Sequence, residues 1–327
     1  MIIKPIIRNA MSMTLEEKSL CDKRREELAA DENYQMMVGD IKSTVANIRV
    51  TQEERIRESN RNHEKADGSS TANAEEARLQ MKTSEEHKEF VDTMVGRLRE
   101  IEDMWVDHLK ECIQKHPVYG RFLKNVSGCG PALAGDLLSE FKVENVYYIG
   151  QLFKYSGIVG STKRIKGQKA AYNVYLKKRL LGVLPGSFLK ARSPYAVYYY
   201  EYRIRMIQRW MNASEEERKN LTLNHQHLMA NRYMVQRFVK DYYQAFRKIM
   251  NIPVICPYEE EKLGIIHVGN SWTNVDQLID MSASELKEYK AKTKEKIAEL
   301  KVQLDQLVKS SGIPRSGKEE ETIEVEE

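Results

Sequence analysis

Between Gly128 and Lys178 the chain gathers residue types that hold a phosphate. Gly128 and Gly130 stand one residue apart, able to take the positive φ angles of a tight turn and leaving no side chain between the backbone and an approaching ligand. Pro131 follows with the fixed φ and missing N–H that suit a helix start. A helix opening there points unpaired N–H groups and the positive end of its dipole outward, a setting for a phosphate oxygen. Val126, Leu133, Ala134, Leu137 and Leu138 would pack this helix against the preceding segment VYGRFLKN. With Cys129 as a small apolar residue at the turn, GCGPALAGDLL reads as a helix-hairpin-helix, which grips a nucleic-acid backbone without reading its sequence. The same Gly-x-Gly-Pro turn also serves a plain reversal of the chain.

Cations follow the hairpin. Lys163, Arg164, Lys166 and Lys169 fall within seven residues, beside Gly160 and Gly167. Lys177, Lys178 and Arg179 come on the next helical pattern, with Lys190, Arg192, Arg203 and Arg205 beyond. Residues 142–210 hold 14 Lys and Arg against 2 Asp and Glu, whereas residues 1–116 hold 19 against 24 and residues 272–327 hold 9 against 13. A basic block inside an otherwise acidic chain is the electrostatic footprint of a phosphate-rich partner. A solvated charged face is the plainer reading, but such faces mix signs. Tyr172, Tyr175, Tyr195 and Tyr198 to Tyr200 interleave with these charges, either as stacking platforms for unpaired bases or as ordinary core.

The elements that must position these residues read as helices throughout. From Leu15 to Arg57 a charged segment repeats Met37, Ile41, Val45 and Ile48 at helical spacing, then gives way to the polar stretch NRNHEKADGSSTANAEE. Val91, Met94, Leu98, Ile101, Trp105, His108 and Cys112 keep a 3-4-3-4 spacing, the seam of a coiled coil leading straight into the hairpin. Beyond it the patterns predict helices over 146–155, closed by Gly157, and over 172–184, 195–211 and 225–250. Ser214 with Glu217 marks a capping box. Leu286, Ile297, Leu300, Leu304 and Leu307 form a second seam within 284–309, and KEEETIEVEE has the composition of a disordered end. The expected fold is all-α, with coiled-coil helices flanking a helix-hairpin-helix DNA-binding domain. Its parts are a charged helical region 1–90, the hairpin domain 91–212, a helical extension 213–271 and a coiled-coil helix with acidic tail 272–327.

Composition narrows the class. With 31% charged and 41% hydrophobic residues and no run of some 18 apolar residues, the chain is expected to be soluble and to span no membrane. Cys21, Cys112, Cys129 and Cys256 lie far apart with no Cys-x-x-Cys pair, as reduced thiols of a cytoplasmic, nucleoid-associated protein would. No Gly-x-Ser-x-Gly elbow and no His-Glu-x-x-His pair occurs, and no carboxylate stands out as a metal ligand; no metal or cofactor is expected.

The run from Val95 to about Tyr202 resembles the C-terminal transposase domain of the insertion-sequence 110/116/902 family. The pieces that carry the likeness are GRLREIEDMW, FLKNVSGCGPALAGDLLSEF, IGQLFKYSGIVG and KGQKAAYNVYLKKRLLGVL. The resemblance implies that the hairpin and the basic loop after it engage DNA, that an RNA guides target choice, and that strands are joined through a serine nucleophile. Ser161 is the hydroxyl nearest the family's Ser-Gly step, with Lys163, Arg164 and Lys166 to activate it, but Thr162 stands where that step has Gly. The first 90 residues lack the hydrophobic strand and Asp that open the family's ribonuclease-H-like domain, so its acidic tetrad and metal are not carried over. The expectation is a transposase-like DNA-binding protein, oligomeric through its helical seams, with structured RNA as a further partner. The competing class is a coiled-coil structural or adaptor protein in which the hairpin is only a corner.

Overall fold

A computed structural model describes residues 14–62, 85–159, 166–219, 221–255 and 272–313. The fold is all-α, with no strand among the described residues. Leu15–Ala30 (α1) opens on a capping box, in which the Glu17 N–H donates to Thr14 Oγ1 and the Thr14 N–H donates to Glu17. The charged segment that reads as continuous helix breaks at Asp31. Its carboxylate accepts the Tyr34 N–H at 3.1 Å and so starts a second helix, Glu32–Asn62 (α2).

Helix Glu85–Gln114 (α3) runs back along α2. Gln52 and Arg55 both donate to Glu102, while Val45 and Leu109 meet over Gly135, so the two helices are antiparallel. Their shared face buries Ile41, Val45, Ile48, Val95, Leu109, Cys112 and Ile113. Of the seam that heptad spacing predicts, Cys112 is buried and Trp105 packs on the core. Met94, Ile101 and His108 of that seam are exposed, together with Phe90 and Met104, and the packed line is rotated round the helix onto Val95, Glu102 and Leu109. Glu102 enters the packed line because Gln52 and Arg55 of α2 pair with it, which apolar spacing does not reveal.

The hairpin region follows as Pro117–Arg121 (α4), a 3₁₀ turn at Leu123–Asn125 and Pro131–Glu140 (α5). Ile149–Ser156 (α6) closes on Gly157, whose φ of 65° is the left-handed C-cap the sequence signals. Val174–Lys178 (α7) runs through a π turn at Arg179–Val183 into Leu184–Lys190 (α8). Pro185 has no N–H for the Leu181 carbonyl, so the ladder widens and Leu184 donates to Arg179 instead. Ala196–Met211 (α9), Glu215–Lys219 (α10), Leu223–Ile249 (α11), Val275–Leu278 (α12) and Ala283–Ser311 (α13) complete the described chain.

Helix α11 is the axis of the core. Val235, Phe238, Val239, Tyr242 and Phe246 are buried on it, and one apolar cluster draws side chains from Cys21 to Leu278 around them. Phe238 meets Phe188 and Tyr195 edge-on, at 5.1 Å between centroids in each case, a geometry worth roughly 0.5–1.5 kcal/mol per pair beyond area burial. On α13 the seam residues Ile297, Leu300 and Leu304 are buried in one cluster with Val197, Ile204 and Ile207 of α9.

Candidate nucleic-acid interface

The hairpin is built from its ends inward. His116 caps α4 by accepting the Val118 N–H on Nδ1 at 3.2 Å, and burial pushes its imidazole down to about 4, so it stays neutral. Asn125 donates to the Leu278 carbonyl at 2.9 Å, and Arg121 grips Asp280, so this stretch is tied to the end of α12 and the residues just after it. At the turn Gly128 has φ +89°, as a tight reversal requires. A Cβ there would stand 3.0 Å from both the Phe188 ring and the Ser187 carbonyl, and Ser187 Oγ donates to the Gly128 carbonyl at 2.6 Å. Gly128 is thus glycine for the fold's own reasons.

Gly130 differs. Its φ is −68°, it is exposed, and a Cβ on it would meet nothing within 4 Å. It is the N-cap of α5 without a capping side chain, next to Pro131 at the first helical position. The fold places no steric demand for glycine here, and the N-terminus of α5 is reached past it. Cys129 lies between the two glycines but faces inward: it is buried, its N–H is given to the Val126 carbonyl, and burial pushes its thiol up to about 12. Cys129 therefore packs the turn, offering a ligand neither its N–H nor its side chain.

Of the basic residues, Lys166, Lys169 and Lys178 are exposed, as is Lys124 just before the turn. Lys177 is half-buried and lies over the Tyr172 ring at 4.4 Å. Ser161, Lys163 and Arg164 lie outside the described residues. Asn173 caps α7 by accepting the Leu176 N–H at 3.0 Å.

A charged clasp that sequence reading missed holds this basic segment on the hairpin helix. Asp136, buried on α5, accepts from Tyr175 at 2.7 Å and from Arg179 at 2.5 Å. One turn on, Glu140 accepts from Arg49 of α2 at 2.6 Å and from Asn173 at 2.7 Å. The Arg49 guanidinium also lies over the Tyr175 ring at 3.4 Å. Burial raises the Asp136 carboxyl above the usual range, while Arg179, Tyr175 and Arg49 pull it back. Two carboxylates at i and i+4 on an otherwise apolar helix were the available signal.

The tyrosines sort the other way. Tyr195, Tyr198 and Tyr199 are buried, and Tyr175 is engaged in the clasp, so none of these four is a free stacking face. Among the described residues no group of three or more His, Cys, Asp or Glu side chains is placed to hold a metal ion, and no helix is long and apolar enough to cross a membrane. Comparison with family models, with curated proteins and with solved structures finds no match to the chain.

Proposed function

We propose that this chain binds the backbone of DNA through its hairpin and the basic segment that follows, as a transposase-like protein of a mobile element or phage. The observation that carries the reading is Gly130: an exposed glycine with open space where a Cβ would stand, at the N-terminus of α5, which no side chain caps. Backbone N–H groups and the helix dipole at that end suit a phosphate oxygen. Lys124, Lys166, Lys169 and Lys178 supply exposed positive charge within the same stretch of chain. Nothing in this surface reads base edges, so binding is sequence-tolerant, and RNA of suitable shape is a second substrate of the same kind. Strand joining through Ser161 belongs to this proposal by resemblance alone.

Fluorescence anisotropy with labelled duplex DNA over a series of salt concentrations tests the reading. The expected result is binding at low salt that weakens with a log–log slope of about −0.9 for each phosphate neutralised. No binding of DNA or RNA at low salt would sink it. The adaptor reading, favoured by the exposed Phe90, Met94, Ile101 and Met104 on α3, would then stand in its place.

A further inference from the structure

Lys177, Lys178 and Arg179 stand in a row, and the fold uses two of them. Lys177 lies over the Tyr172 ring, and Arg179 is held by Asp136. Lys178 is exposed, and its side chain has no hydrogen bond or ion pair among the described residues. The same holds for Lys190 at the end of α8. From Val174 to Arg192 the chain contains no Asp or Glu.

These two lysines lie on one face. Leu176, Leu180, Leu184 and Phe188 recur every four residues and are buried, so the run from α7 through the π turn into α8 keeps one side on the core. The opposite side repeats at the same interval as Lys178, Gly182, Gly186 and Lys190, all exposed. Glycine inside a helix is less favourable than alanine, yet a Cβ on Gly182 or Gly186 would meet nothing within 4 Å. The backbone between the two cations is therefore bare for no reason of packing. Ser187, next to Gly186, donates to the Gly128 carbonyl at 2.6 Å and so joins α8 to the hairpin turn. Arg192 is exposed just beyond, but Asp305 of α13 acts on the same Tyr200 phenol, so Arg192 is not counted with the pair.

Resting on the DNA-binding reading above, we infer that α8 forms a second wall of that interface: the face from Lys178 to Lys190 lies against the sugar–phosphate backbone of the duplex that the hairpin holds. Lys178 and Lys190 take phosphates at its two ends, and Gly182 and Gly186 let the helix backbone come into van der Waals contact between them. Twelve residues, or about 18 Å of helix, separate the lysines, which matches phosphates about five base-pair steps apart at about 3.4 Å each. A large side chain at either glycine would hold the helix backbone off the duplex.

The experiment compares the full chain with Lys190→Ala, Lys190→Arg and the double variant Gly182→Leu/Gly186→Leu, by anisotropy on a labelled duplex over a salt series. Lys190→Ala is expected to flatten the log–log salt slope by about 0.9, the share of one phosphate, and Lys190→Arg to keep the parent slope. The double leucine variant changes no charge and is expected to bind at least tenfold more weakly. Leucine is the better helix former, so this variant is expected to melt no lower than the parent, which separates lost contact from lost folding. A parent that binds DNA while either Lys190→Ala or the double leucine variant keeps the parent's affinity and slope overturns this inference and leaves the hairpin reading intact. A parent that binds no DNA overturns the hairpin reading itself.

Discussion

Gly128 and Gly130 look equivalent in sequence and are not. Gly128 is held at positive φ against Phe188 and the Ser187 carbonyl, so Gly128→Ala is expected to cost about 2 kcal/mol through backbone strain and overlap, and any loss of DNA binding in it would be ambiguous. Gly130 is the clean probe. Asp is a better N-cap than Gly and suits the helix dipole, so Gly130→Asp is expected to keep or raise stability by a few tenths of a kcal/mol. Its carboxylate would meanwhile repel a phosphate, and DNA affinity is expected to fall at least tenfold, or about 1.4 kcal/mol. Urea unfolding and an anisotropy titration on the same preparation separate the two effects. Unchanged affinity in Gly130→Asp would remove the N-terminus of α5 from the interface.

Among the elements, α5 does two jobs at once. Its apolar face packs the hairpin, and its Asp136 and Glu140 tie down α7 and α2. Removing the Asp136 carboxylate leaves Arg179 without its partner in a mostly buried place, and Asp136→Ala is expected to destabilise the fold by about 2 kcal/mol, less than a fully buried pair because Arg179 keeps some solvent contact. Asp136→Asn keeps an acceptor for Tyr175 and is expected to cost less than half as much. Chemical denaturation of both variants checks the order; equal losses would mean that shape, not the ion pair, holds α7 in place. Helix positions along the chain were largely legible in sequence, because caps and 3.6-residue periodicity are local: Gly157 closes α6, and Ser214 with Glu217 starts α10. The side each helix buries was less so. On α3 the buried stripe keeps Cys112 of the predicted seam and adds Val95, Leu109 and the paired Glu102, because α2 supplies Gln52 and Arg55 opposite.

At the scale of the whole molecule, Asp241 ties its parts together. It accepts from Tyr195 at 3.1 Å and from Thr273 at 2.6 Å, while the Thr273 N–H donates to Tyr198, so α11, the start of α9 and the segment leading to α12 meet at one buried carboxyl. Burial raises that carboxyl to about 6 from 3.8. A carboxyl raised in the folded state adds stability that is fully present below its unfolded value and is lost as pH rises through the folded one. Asp241 is therefore expected to contribute on the order of 3 kcal/mol less at pH 7.5 than at about pH 3.5. Asp241→Asn should remove this part of the pH dependence, read from urea midpoints of parent and variant between those limits. An identical pH profile in the variant would mean that Asp241 titrates as an ordinary carboxyl.

The amino-acid sequence by itself determined the helical class, the turn at Gly128 with the helix start at Pro131, and the basic character of the segment after them. Each of these depends on neighbours within a few residues, through φ preferences, capping and charge composition. Tertiary structure decided which of the marked residues are buried and which are exposed. It turned Cys129 and Tyr195, Tyr198 and Tyr199 inward, gave Gly128 a packing reason and left Gly130 open. It also brought Arg49 to α5 across 91 residues of chain, and Gln236 to the end of α6 across 78. Contacts at such separations follow from which buried faces meet, and no local pattern of residue types encodes that choice.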